Sequence, residues 1–119
     1  NMTIKRFHTN ERMSQIVVHG DTVYIAGQVA WNNRGGSVRD QTIEILDAID
    51  NYLIEAGSDK WHMLSASVWL SDCATQLEEF NKVWDNWVPE GDAPTRACVQ
   101  STLVAPDFHV EVAVVAAKK

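Results

Sequence analysis

The chain carries two cysteines, three prolines and six glycines in 119 residues, and no apolar run approaches the ~20 residues of a membrane-spanning helix. Cys73 and Cys98, set in unlike contexts, are too few for a disulfide framework or a zinc ligand set, so the reducing cytosol is the expected compartment. No signal-peptide pattern is visible, and no membrane partner is expected. Basic residues are scarce: ten Lys and Arg against sixteen Asp and Glu give a net charge of −6 and a pI near 5.0. That balance argues against nucleic-acid binding, whose affinity rests on a basic surface, though a local basic pocket is compatible with it. His8, His19 and His62 stand at strand ends or turns without metal-ligand spacing, and no metal is expected. Gly35-Gly36 is a turn signal; there is no glycine-rich phosphate loop.

What remains is the balance of an ordinary soluble domain, with 45% apolar and 22% charged residues. The length implies one domain, residues 1–119, large enough for a core but small for a self-contained cleft. Thr3 to Phe7 reads as a weak strand. Gln15 to His19 and Thr22 to Gln28 are strand-like runs joined by a Gly20-Asp21 turn. A helix is predicted from Ser37 to Ala56, with Val38, Thr42, Ile45, Ile49, Tyr52 and Leu53 at helical spacing, Ser37 as cap and Gly57 as terminator. Trp61 to Leu70 reads as a strand with Leu64, Ala66, Val68 and Leu70 on one face and Met63, Ser65, Ser67 and Trp69 on the other. A second helix, capped by Ser71 or Asp72, carries a stripe of Leu77, Phe80, Val83, Trp84 and Trp87 and stops before Pro89. Two last strands are predicted at about Thr95 to Leu103 and Phe108 to Ala116. The order β-β-β-α-β-α-β-β implies an α+β domain: one mixed sheet with two helices on one face. The other face is left uncovered, and oligomerisation is the expected remedy.

The richest stretch is Pro94-Thr95-Arg96-Ala97-Cys98-Val99 followed by His109-Val110-Glu111-Val112. It sets an arginine, a cysteine and a glutamate in apolar strands, where charges seldom sit unless paired or at work. If the last two strands form an antiparallel hairpin about Ala105, one register puts Cys98 opposite Glu111 with Arg96 on the same face; a shift by one residue loosens the cluster. An arginine can hold a carboxylate bidentately, and a partly buried glutamate can activate water. Together they suit hydrolysis of a small carboxylate-bearing metabolite. Read from spacing alone, an Arg96–Glu111 pair that merely satisfies itself stands equally open.

The segments Ala93-Pro94-Thr95-Arg96-Ala97-Cys98-Val99 and Val110-Glu111-Val112, with their Arg-to-Glu spacing, resemble the signature of the reactive intermediate deaminase family (RidA, YjgF-type). Ile25-Ala26-Gly27-Gln28-Val29 resembles that family's Ser-Gly-Gln strand end, Glu55-Ala56-Gly57-Ser58 its helix-ending Ala-Gly, and Phe80-Asn81 a position where it often has Asn. The Trp84-Asp85-Asn86-Trp87-Val88 segment and the Met2-Thr3-Ile4 opening are closer to its YoaB-like branch.

The resemblance implies a chorismate-mutase-like fold and a homotrimer with clefts between subunits. It implies cofactor-free hydrolysis of enamines and imines, such as 2-aminoacrylate, to 2-keto acids and ammonia. By the same likeness Arg96 binds the substrate carboxylate, Glu111 positions water, Gly27 holds the ligand through its backbone, and Cys98 and Asn81 line the cleft. Ala26 stands where the RidA branch has serine and Met13 near its site tyrosine. Both replacements lose a hydroxyl, so the activity can be reduced, redirected or absent, and a metabolite-binding module using the same cleft is the alternative.

Several other residues have plainer readings. Cys98 is expected to be a small hydrophobe more than a nucleophile, and Cys73 a thiol at a helix start. Trp84 and Trp87 fall on the helix stripe and belong to the core. Trp31, just past Gln28, either roofs a cleft or enters an interface. His109 is either a second acid–base group beside Glu111 or a solvent-facing strand-end residue.

Overall fold

The computed structural model describes residues 3–119; Met2, part of the opening discussed above, lies outside the described residues. The elements follow as β1 (Ile4–Thr9), β2 (Ser14–His19), β3 (Thr22–Gln28), α1 (Val38–Glu55), β4 (Met63–Leu70), α2 (Cys73–Trp87), β5 (Thr95–Gln100) and β6 (Val110–Ala117). Short 3-10 turns at Trp31–Asn33 and Lys60–His62 precede α1 and β4. The six strands form one mixed sheet in the order β1-β2-β3-β6-β4-β5, and the expected α+β architecture holds.

Local chemistry sets the bounds of α1 and the β2–β3 turn where the sequence placed them, whereas β5 stops at Gln100 and β6 starts at Val110, inside the predicted Thr95–Leu103 and Phe108–Ala116 runs. Gly20, at φ 60°, makes the β2–β3 turn, and His19 pairs with Thr22 across it. The Ser37 hydroxyl accepts from the Asp40 N–H at 3.0 Å and starts α1. Gly57, at φ 83°, ends it, and the following Ser58 N–H returns to the Leu53 carbonyl at 2.8 Å. Asp72 occupies the N-cap position of α2 without a side-chain cap bond; its carboxylate accepts from the Thr75 hydroxyl instead.

The core lies between the helices and one face of the sheet. Ile45, Leu46, Ile49 and Leu53 of α1 and Phe80 and Trp84 of α2 meet Ile16, Val23, Ile25, Val68, Val110 and Val112. Each such side chain, fully buried, contributes roughly 1.5–3 kcal/mol relative to exposure. The other face is more open: Tyr24, Ser65, Ser67, Trp69, Val99, Ala113 and Val115 are half-buried or exposed.

Two expectations fail. The last two strands do not form a hairpin. Residues 101–109 are a loop, and β4 lies between the two strands. β5 pairs with β4 in parallel, while β6 pairs antiparallel with both β4 and β3. The β4-α2-β5 segment is a crossover unit, in which an intervening helix returns the chain for parallel pairing. Spacing along the chain could not distinguish this from a long-looped hairpin. The predicted faces of β4 also slip at its start. A register shift between Met63 and Ser65 buries Met63 and leaves Leu64 at 51% exposure.

Candidate functional site

Glu111 sits on β6 between Val110 and Val112, both fully buried on the helix side. Alternation therefore sends its carboxylate to the open face, where Trp69 is its neighbour on β4. On the other flank, β3 bulges: Ile25 pairs with Val114 but Gln28 with Val112, so the β3 segment has one residue more than its partner. The nearly buried Gln28 amide spans the bulge, donating to the Ala26 carbonyl at 3.0 Å and to the Gln15 side chain at 2.8 Å. The distortion brings Gly27 against Glu111. A Cβ on Gly27 would overlap Glu111 Oε2 and lie 3.0 Å from its Cδ. Glycine is required here for space, since its φ is not positive. Burial pushes the Glu111 carboxyl above the ordinary range for glutamate. Among the described residues it accepts no side-chain hydrogen bond and forms no salt bridge.

A buried glutamine fixes both segments that carry this pair. Gln41 of α1 is fully buried. Its Nε2 donates to the carbonyls of Asn33 and Asp107, each at 3.0 Å, and its Oε1 accepts from the His109 N–H at 2.8 Å. The loop after Gly27 is thus tied to the segment before Glu111. Glu44 secures the same loop through the Asn32 N–H and the Asn33 side chain. Arg34 and Asp107 complete the tie with a bidentate pair at 2.8 and 2.9 Å, which holds the Asp107 carboxyl below its usual range. Trp31 packs edge-on against Phe108 with centroids 5.0 Å apart, yet stays 63% exposed. Sequence reading missed Gln41, although its signal was present: an amide within a helical stripe of apolar residues. His109 precedes β6, and its backbone N–H is what serves the structure.

Arg96 belongs to the opposite side of the sheet. It pairs with Ala66 on β4, which is buried beneath the helices, so its side chain lies on the helix face at the sheet's free edge. Its guanidinium carbon is 5.4 Å from the Trp84 ring centroid and 5.7 Å from that of Phe80, and Nη1 donates to Asn81 Oδ1 at 2.9 Å. Three residues of α2 thereby aim a guanidinium that, among the described residues, has no carboxylate partner. Cys98 shares this face, opposite Val68, and burial raises its thiol pKa, as does the nearby Cys73. A raised pKa lowers the fraction of thiolate at neutral pH.

The expected single groove of guanidinium, thiol and carboxylate is therefore not formed within one chain. Arg96 and Glu111 lie on different strands separated by β4, three β4 positions apart. Strand spacing and rise put their backbones about 14 Å apart, with side chains on opposite faces. For the same reason they are not a self-satisfying ion pair. Instead the chain presents two half-sites: Gly27, Ala26 and Glu111 on the open face, and Asn81, Arg96 and Cys98 at the edge below α2. Met13, in the turn between β1 and β2, is exposed and brings no hydroxyl. A groove of about 710 Å³ between α1 and α2, lined by Arg39, Asp47, Lys60, Glu79 and Trp87 among others, contains neither half-site. No group of three or more His, Cys, Asp or Glu suited to a metal occurs among the described residues, and no helix is long and apolar enough to cross a membrane.

A six-stranded mixed sheet with two helices and a glycine–glutamate pair at a bulge defines a small α+β class of protein. The family described as Endoribonuclease L-PSP matches residues 3–118. The chain is 38% identical over 116 residues to the RutC family protein YoaB of Escherichia coli, covering 98% of this chain and 99% of that one. It is 35% identical over 115 residues to a RutC family protein of Haemophilus influenzae, covering 97% and 98%. An uncharacterized protein from Pseudomonas aeruginosa superposes with a TM-score of 0.93 at 44% identity, covering 98% of this chain and 100% of that one. NMB1025 of Neisseria meningitidis, a member of the YjgF protein family, gives a TM-score of 0.94 at 38% identity over 99% and 97%. The chain belongs to this RidA/YjgF (L-PSP) family, as its Arg96 and Glu111 motifs implied.

Proposed function

We propose that the protein hydrolyses small 2-imino or enamine acids, such as 2-aminoacrylate, to 2-keto acids and ammonia, in clefts formed between copies of the chain. One observation carries this reading. A half-buried carboxylate with a raised pKa and an aimed guanidinium with an aromatic backing lie on opposite faces of one sheet, so only a second copy can oppose them. A homotrimer supplies three such junctions, because head-to-tail contacts close into a ring. The open face, with Tyr24 and Val99 exposed, offers the surface to bury.

In this mechanism the Arg96 guanidinium binds the substrate carboxylate, oriented by Asn81. A proton from solvent added to the enamine carbon gives the iminium. Glu111 accepts a proton as water adds to the iminium carbon and returns it to the nitrogen; ammonia then leaves as the new hydroxyl gives its proton back to solvent and becomes the keto oxygen. The raised pKa of Glu111 brings proton acceptance and return closer in energy at neutral pH. Gly27 leaves the space in which the carboxylate sits, and no cofactor has a part in the sequence of steps.

The decisive assay is ammonia release from 2-aminoacrylate generated in situ, with Arg96→Ala and Glu111→Gln as comparisons; equal rates for all three would end the proposal. Mixing the two inactive variants tests the shared cleft. Random reassembly restores about one quarter of the junctions to wild type, and activity should recover to that extent. A mixture as inactive as its components would count against a cleft shared between chains.

The lost hydroxyls at Ala26 and Met13 favour one further reading, a non-catalytic module that holds a 2-keto acid in the same cleft. Tight binding of a 2-keto acid without turnover would distinguish it. A ribonuclease role, suggested by the family's description, is disfavoured by the net charge of −6.

A further inference from the structure

We propose that Cys73 and Cys98 form a redox-modification site: a dithiol that an oxidant of the peroxide class converts to a disulfide within one chain. The two cysteines are distant in sequence, Cys73 opening α2 and Cys98 lying on β5, yet a side-chain bond joins the two elements. The Cys73 N–H donates to Gln100 Oε1 at 2.8 Å. Gln100 lies two residues beyond Cys98, on the same face of that strand. The first turn of α2 is therefore tied to the strand of Cys98, and both cysteines are partly buried against the hydrophobic core. Their thiols are close enough for one to affect the titration of the other. Both are free and only partly buried, so a small oxidant reaches them.

The surroundings let the sulfurs approach. β5 is an edge strand bonded to β4 alone. A small shift of this edge strand brings the sulfurs together without disturbing the sheet interior.

The chemistry balances. The Cys73 thiolate attacks the peroxide; the O–O bond breaks, giving the Cys73 sulfenic acid and one water. The Cys98 sulfur then attacks the Cys73 sulfur; its thiol proton is lost and the S–O bond breaks. A disulfide and a second water result. Two thiols are oxidised by two electrons and the peroxide is reduced. Cys73 acts first because burial disfavours the thiolate of Cys98. The cross-link ties α2 to the strand that carries Arg96, so peroxide would be sensed at the wall of the guanidinium half-site.

The test uses the whole reduced protein, treated with hydrogen peroxide and then alkylated. Both thiols should disappear together, with a mass lower by two hydrogens, no cross-linked chains on a non-reducing gel, and full recovery with dithiothreitol. In Cys73→Ser the Cys98 thiol should persist through the same treatment. Loss of one thiol while the other stays alkylatable, a disulfide between chains, or two intact thiols would each overturn the proposal. Turnover is not measured, so failure here leaves the proposed hydrolysis untouched.

Discussion

Replacing Gly27 by alanine tests the Glu111 half-site without altering the carboxylate itself. The added Cβ would overlap Glu111 Oε2 and lie 3.0 and 3.3 Å from Cδ and Cγ. Ordinary carbon contacts are about 3.5–4.0 Å, so the carboxylate must retreat by about 1 Å or more. The backbone does not object, because Gly27 is not in the left-handed region. Alanine also restricts the unfolded chain, which stabilises by about 0.4–1 kcal/mol, while an off-rotamer glutamate costs about 0.5–1.5 kcal/mol. The two nearly cancel, and net stability should stay within about 1 kcal/mol of wild type. Activity should not. A misplacement of about 1 Å in the reacting groups costs on the order of 10²-fold in rate, about 2.7 kcal/mol of barrier. Ammonia release and urea unfolding, measured on one preparation, separate the two effects. A folded variant within threefold of the wild-type rate would refute the claim that Gly27 exists to make room for Glu111. A rate loss accompanied by several kcal/mol of destabilisation would refute the claim that the clash is confined to the carboxylate.

Glu111→Gln should abolish turnover and also change how stability depends on pH. Because burial raises the folded pKa above the unfolded one, the wild type is most stable, relative to the variant, below the unfolded pKa. It loses that advantage as pH rises through the folded value; at neutral pH the glutamine variant should unfold at the higher urea concentration, and parallel curves from pH 3 to 8 would contradict this. Arg96→Ala removes the anchor for a substrate carboxylate and should weaken binding of a 2-keto acid by about 10- to 150-fold, the equivalent of about 1.5–3 kcal/mol, in calorimetry. Asn81→Ala frees one guanidinium nitrogen and should cost about tenfold or less, so a larger loss than for Arg96→Ala would show that Asn81 does not act through the arginine. Gln41→Ala leaves two carbonyls and the His109 N–H without their partner and should destabilise by about 3–5 kcal/mol in denaturant unfolding; a cost below about 1 kcal/mol would show that water replaces the amide.

The residues that carry local physics were legible in the sequence. Ser37 and Gly57 bound α1, and Gly20 turns the β2–β3 hairpin. Each effect acts within one turn of helix or one step of strand, so neighbouring residues encode it. Arg96 and Glu111 were legible as candidates because charges in apolar strands stand out against their surroundings, whereas Gly27 entered only through the likeness of its strand end to a family pattern. The resemblance to a family then gave them roles.

Their arrangement was decided by strand order. The chain between Gln100 and Val110 is compatible with a hairpin or with two strands separated by a third, and nothing within that stretch selects between them. The selection comes from β4, whose two edges take β5 in parallel and β6 in antiparallel pairing. With β4 between them, Arg96 and Glu111 fall on opposite faces instead of in one groove. The bulge at Gly27 and the bonds of Gln41 to Asp107 and His109 likewise depend on partners tens of residues away. The sequence by itself determined which side chains can do chemistry; the tertiary structure decided that one chain holds them as two separate halves, because sheet pairing is a contest among distant segments.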